Sequence, residues 1–337
     1  MTGKERFNQI IGHKSSHCGF WHGNPNPASY DKLYSYFEVT DDYMLGLKLG
    51  SDFCWIRPNI HDMWKSEKPI FDYYDGRERA SLGQAGIFAD CESIGKIEKY
   101  PWPDAANCNF TETAAVAGRV AQTGQAVVSG LWCSFFHDLC NFFGMENYYM
   151  KMYTDPGVII AVTEHVVDFY LEASEKLYAL AADKIDAVFF GNDFGSQLDL
   201  MVSPDCFDKF IMPYLNRLIG QAHRYGLKVM LHSCGSVDRI IPMIIDAGVV
   251  ALHPIQALAA NMDAGSLSKK YNGKIVFIGG VDTQRLLIHG TPQQIREEVK
   301  RLKSLFGPNF IVSPSHESLL PNVSPENIEA MADEALV

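Results

Sequence analysis

Much that would direct a sequence reading is missing from this chain of 337 residues, beginning with any long apolar run. None approaches the roughly 20 residues that a bilayer-spanning helix needs, so no membrane partner is expected. Basic residues are outnumbered, 29 Lys and Arg against 40 Asp and Glu, which leaves a net charge of −11. No Lys/Arg stripe alternates with aromatics, so nucleic acid is not an expected partner, and a polyanionic substrate is disfavoured. The eight cysteines (Cys18, Cys54, Cys91, Cys108, Cys133, Cys140, Cys206 and Cys234) are scattered, with no CxxC pair. Such spacing reads as reduced thiols rather than a disulfide framework. The opening residues do not run basic, apolar, then small as a secretory leader does, and a cytoplasmic protein is expected. Also missing are GxSxG, GxxxxGK[ST], HExxH and a GxGxxG following a strand. A serine hydrolase, a P-loop enzyme, a zincin and a dinucleotide-binding protein therefore have no support.

What is present is enough apolar material for a large core, 47% of residues. From about residue 160 onward, helical patterns alternate with short, continuously apolar runs. These runs are "DAVFFGND" (186–193), "KVMLHSCG" (228–235), "VVALHPIQ" (249–256), "IVFIGGVD" (275–282) and "NFIVSPSH" (309–316). Alternation of this kind indicates βα units and a parallel sheet buried on both faces. Three earlier runs, 18–23, 51–58 and 126–134, bring the strands to eight. The expected fold is α/β, a single (β/α)8 TIM barrel over 1–337, with an N-terminal insertion or cap at 58–125. A small hairpin is expected within 68–103. One helix is expected across 203–226. Ser203, Thr291 and Ser324, each before proline, read as helix N-caps, and Gly226, Gly248 and Gly273 as helix ends.

The ends of the apolar runs are polar and reactive: Asn192 and Asp193, His232 to Cys234, His253 to Gln256, Asp282 to Gln284, and Ser313 to His316. In a parallel barrel these ends meet at one mouth, where catalytic sites are built. On a strand, residues two apart share a face, so His232 and Cys234 can present a nitrogen and a sulfur to one point. With His316 they supply three ligands of two types that zinc accepts, histidine and cysteine, leaving a position open for substrate. A packed histidine and an inert thiol are the plainer alternative. Asp193 is a candidate catalytic residue, able to orient a ligand histidine; it and Asn192 would otherwise cap the next helix. Trp21, His22, Asn192, Gln197, His253, Gln256 and Asp282 are candidate substrate contacts. Trp55, His61 and Trp64 add aromatic and histidine content near strand ends, suited to a pocket or to ordinary core.

The motifs "GNDFGSQLDLMVSPDCF", "LHSCGS", "LHPIQ", "FIGGVDTQRLL" and "PSHESLLPNVSPENIEAM" occur in order. Over roughly residues 145 to 337 the chain resembles the uroporphyrinogen decarboxylase superfamily. That resemblance implies the same barrel and two chemistries: metal-free decarboxylation, and zinc-dependent methyl transfer to or from a corrinoid protein. The methyltransferase branch has an HxC pair and a third, usually cysteine, ligand. His232 and Cys234 match the pair, and His316 stands at the third position. The decarboxylase branch binds substrate carboxylates with N-terminal arginines, yet here the stretch "HKSSHCGFWHGNPNP" has none.

The resemblance thus implies a zinc-dependent methyltransferase acting on a small thiol or methylated donor. No corrinoid-binding DxHxxG stretch occurs, so cobalamin is expected on a separate protein. The alternatives are a metal-free carboxy-lyase of the same superfamily, with Asp193 and a histidine moving protons, and a barrel that only binds.

Overall fold

The computed structural model describes residues 1–81 and 83–337. Its centre is a strongly curled, TIM-like sheet of eight parallel strands: β1 (Gly19–Phe20), β2 (Phe53–Ile56), β3 (Ala126–Ser129), β4 (Ala187–Gly191), β5 (Lys228–His232), β6 (Val249–Ile255), β7 (Val276–Val281) and β8 (Phe310–Pro314). Each lies within a run read as a strand from the sequence. Hydrogen-bonded neighbours follow the order β1-β8-β7-β6-β5-β4-β3-β2. Between β1 and β2 the link is Asp52: its N–H donates to Phe20 O at 2.8 Å, and its Oδ2 accepts the Phe20 N–H at 2.9 Å.

Period-two alternation sorts each strand between two cores. Ala187 and Phe189 of β4 point inward, packing with Trp21, Phe53, Met230, Ile278 and Ile311. Val188 and Phe190 point outward against the helices. An N-terminal helix, Gly3–Ile11, adds Phe7, Ile10 and Ile11 to the inner cluster and so covers one end of the barrel. The helix starts follow the sequence signals: Ser203, Thr291 and Ser324 each accept a first-turn N–H. Gly226, Gly248 and Gly273 lie at positive φ just past helix ends, as expected of that position.

Two expectations are corrected. The helix expected across 203–226 is two, Pro204–Phe210 and Met212–Arg224, because Pro213 has no N–H to continue the first and is suited to the opening turn of the second. The hairpin expected in 68–103 is absent among the described residues, and Leu82, which falls in that stretch, lies outside them. Its aromatics pack outward instead of pairing across strands: Tyr73 and Phe88 lie 4.8 and 5.3 Å from the Phe142 ring, and Phe71 lies 5.5 Å from Phe169. Residues 58–125 also contain the helix Thr111–Val120, which packs on β2 and β3 as their connecting helix. Among the described residues, no helix is long and apolar enough to cross a membrane.

Candidate metal centre

The parallel register brings the ends of β4, β5 and β6 level, pairing Gly191 with His232 and His232 with His253. His232 is buried, and its two ring nitrogens face different neighbours. Nε2 lies 3.3 Å from Cys234 Sγ and 3.2 Å from Asp193 Oδ1. Nδ1 lies 2.9 Å from His253 Nδ1 and 3.7 Å from Glu317 Oε2. Cys234 is half-buried at the mouth, and its N–H donates to Asp193 Oδ1 at 2.8 Å, which fixes the turn that carries the thiol.

Three overlapping groups of donor atoms result: Asp193, His232 and Cys234; His232, His253 and Glu317; and Cys234, His316 and Glu317. The chain thus carries a His/Cys/Glu cluster of metal-binding type. His316 Nδ1 accepts the Ser318 N–H at 3.1 Å, which leaves Nε2 for Cys234. Glu317 did not emerge from the sequence, where its neighbour His316 completed the expected set. Its Oε2 is buried and without a hydrogen-bond partner, as is His253 Nε2. The sequence signal available for Glu317 was its place just after the last strand end, in "SPSHES".

Electrostatics follow the packing. Burial alone would raise Asp193, but the hydrogen bond and charge of His232, with the Cys234 N–H, outweigh it and hold the carboxyl well below its usual range. For His232, burial opposes the charged form, yet Glu317, Cys234 and Asp193 together raise it well above an ordinary histidine. His253 is pushed the other way, first by burial and then by His232 and His316. The two imidazoles of the 2.9 Å pair are thus biased in opposite directions, His232 toward its charged form and His253 toward its neutral one.

The remaining candidates are placed as follows. Gln256 Oε1 accepts the Gly235 N–H at 2.6 Å, and Gln256 shares with Thr283, Gln284, Ser315 and His316 a cleft of about 510 Å³. Both ends of the Asn192 amide meet backbone, accepting from Phe136 N–H and donating to Cys133 O. Asp282 accepts the N–H groups of Gln284, Arg285 and Leu286 and so caps a short turn. Gln197 is exposed on the loop after β4. Trp21 fills the barrel interior beneath His253, their ring centres 5.2 Å apart. His22 sits apart, between Ser51 Oγ at 2.8 Å and Asp42 Oδ1 at 3.3 Å.

Trp132, which had not been singled out, forms the wall beside His232, at 5.1 Å between ring centres. Its indole occupies the space where a Cβ on Gly191 would project, so that position must be glycine. Gly191→Ala is expected to cost about 1–3 kcal/mol of stability by overpacking and to shift the indole off His232. Denaturant unfolding with tryptophan fluorescence reads both effects, and an unchanged midpoint and spectrum would show that the indole has room to move.

Comparison with known proteins adds three findings. A family model described as uroporphyrinogen decarboxylase (URO-D) matches residues 90–336. A uroporphyrinogen decarboxylase of Trichlorobacter lovleyi is 27% identical over 187 residues, 54% of this chain and 50% of that protein. One of Chlorobium phaeobacteroides is 25% identical over 154 residues, 44% of this chain and 41% of its own length. The match thus spans half or less of these curated relatives. Among solved structures, a methyltransferase from Methanosarcina mazei is similar with a TM-score of 0.63 and 14% identity, covering 99% of this chain and 98% of that one. At that identity the likeness concerns the fold.

Proposed function

The chain belongs to the uroporphyrinogen decarboxylase (URO-D) family, and on that premise we propose that it is a zinc-dependent methyltransferase. It would move a methyl group between a small thiol or methylated donor and a corrinoid carried by a separate protein. The observation that carries this reading is Cys234, the half-buried thiol common to two donor groups, one of which includes Glu317 Oε2, buried without a hydrogen bond and 3.4 and 3.7 Å from the Nδ1 atoms of His316 and His232. A buried carboxylate oxygen without a donor is a costly feature that a cation satisfies. Thiolate, imidazole and carboxylate are all ligands that zinc accepts. The residues present therefore fit the metal, with Cys234 as shared ligand and His232, His316 and Glu317 as the donors grouped around it.

Zinc bound there would supply a Lewis acid that keeps a thiol deprotonated or draws charge onto the leaving atom of a methylated donor. The chain's own residues hold the geometry. Asp193 ties His232 to the Cys234 turn, and Gln256 fixes the next backbone N–H, so sulfur and imidazole keep one orientation. The cleft beside His316 offers hydroxyl and amide groups from Thr283, Gln284, Ser315 and Gln256, and among the described residues neither lysine nor arginine lines it. That lining suits a small neutral or weakly charged substrate better than a polycarboxylate.

The test is zinc content by mass spectrometry on anaerobically purified protein, paired with methylation of free cob(I)alamin by candidate donors. Near-stoichiometric zinc is expected, with Glu317→Gln and His316→Ala each weakening it by about tenfold or more. Native protein that holds no zinc when zinc is supplied would overturn the proposal, and carbon dioxide release from candidate acids would then be the reaction to assay.

A further inference from the structure

Trp132, whose ring centre is 5.1 Å from that of His232, also lines a cavity of about 440 Å³. Six aromatic residues line this cavity together with aliphatic and proline side chains: Trp64, Phe71 and Tyr73 from the segment after β2, Trp132 from the loop after β3, and Phe169 and Tyr170 from the helix Pro156–Ala181. One carboxylate lies among them. Asp138, on the helix Phe135–Phe143, is 4% exposed. Its Oδ1 accepts the Tyr73 hydroxyl at 2.6 Å and its Oδ2 the Tyr170 hydroxyl at 2.8 Å. Among the described residues no lysine, arginine or histidine pairs with it. Arg57 also lines the cavity; it is exposed and lies 5.7 Å from the Trp55 ring centre.

Burial pushes the Asp138 carboxyl up to about 6, while the Tyr73 and Tyr170 hydroxyls, one donated to each oxygen, favour its charged form. A negative charge in an aromatic cavity, hydrogen-bonded but not neutralised, is unfavourable unless a cation arrives. Aromatic faces carry the negative end of the ring quadrupole and attract the same kind of ligand. We infer that this cavity binds a methylated ammonium ion, with its charge set against Asp138 and the surrounding ring faces. A primary ammonium is less suited, because its N–H donors would compete for carboxylate oxygens that already accept from tyrosines. A quaternary ammonium has no N–H to satisfy, and its diffuse charge suits aromatic walls. A carboxylate ligand would be repelled by Asp138, and a neutral ring would leave the charge uncompensated. The inference concerns binding alone and does not rest on the metal reading.

The test is isothermal titration of the full chain with choline and with 3,3-dimethylbutan-1-ol, its neutral isostere. Choline is expected to bind saturably and at least about tenfold more tightly than the isostere, the difference expected of a cation meeting partly desolvated rings and a carboxylate. Trp64→Ala and Asp138→Asn are each expected to weaken choline while leaving the isostere little changed. Equal binding of the two probes, or no saturable binding of choline, would overturn the inference. Because the choline–isostere comparison uses the native chain, it decides the question even if Asp138→Asn does not fold. A binding readout also keeps this outcome separate from zinc content and methyl transfer.

Discussion

Replacing Cys234 with serine is expected to lower zinc affinity by more than about 100-fold, exceeding the 10–100-fold typical of losing an outer-shell partner. The reason lies in how many groups meet at that sulfur. Its neighbours are His232 Nε2 at 3.3 Å and the His316–Glu317 pair, while its backbone N–H is held by Asp193. A serine hydroxyl keeps the volume and the turn but is a poor zinc ligand, so metal and methyl transfer are expected to fall together while the fold stays intact. Equilibrium dialysis with zinc and near-UV circular dichroism make the comparison. Native-like zinc affinity in the serine variant would remove Cys234 from the ligand set and the central observation with it. Cys234 differs here from the seven other cysteines, all of which are buried.

Arg6→Ala is expected to destabilise the protein by about 3–5 kcal/mol at neutral pH, the range for breaking a buried ion pair by deleting one partner. Asp52 is fully buried, and Arg6 Nε donates to its Oδ1 at 2.7 Å. Through Oδ2 and its backbone N–H, the same aspartate joins β1 to β2 where the strand ladder is missing. Burial raises the Asp52 carboxyl to about 6, against the lowering effect of Arg6 and the Phe20 N–H. Without Arg6 the folded-state value rises further, so the variant keeps its proton to higher pH than the native protein does. The stability gap between them therefore widens as pH rises past about 6 and narrows below it, where both carboxyls are protonated. Urea unfolding at pH 5 and pH 7.5 tests the sign. A gap that is equal at both values, or larger at pH 5, would show that the Asp52 charge is not what Arg6 compensates. Asp52→Asn in the Arg6→Ala background is expected to recover much of the loss, since it removes the unpaired charge.

Both predictions concern features with very different visibility in the sequence. The HxC spacing of His232 and Cys234 was legible because it needs only strand periodicity and the register of one apolar run. Arg6–Asp52 was not, since the partners are 46 residues apart and neither lies in a recognisable motif. Glu317 was overlooked for a related reason. A carboxylate after a strand is common, and only its burial without a partner singles it out. Asp138 sits in "FFHDLCNFF", which reads as a helix with an apolar face; that its carboxylate faces an aromatic cavity depends on Tyr73 and Tyr170, far away in the chain.

The eight strands, the helix starts at Ser203, Thr291 and Ser324, the helix ends at Gly226, Gly248 and Gly273, and the polar strand ends were all legible in the sequence, because each follows from neighbours within a few residues. Apolar runs, proline after a capping serine or threonine, and glycine past a helix end all act locally. Tertiary structure alone decided which polar residues meet. It used both ends of the Asn192 amide on backbone, set Glu317 beside Cys234, and put Trp132 next to His232 and in the wall of a cavity that also holds Asp138. Those outcomes depend on the register between strands and on where a long insertion folds back, contacts that join residues far apart in the chain and leave no local pattern to read.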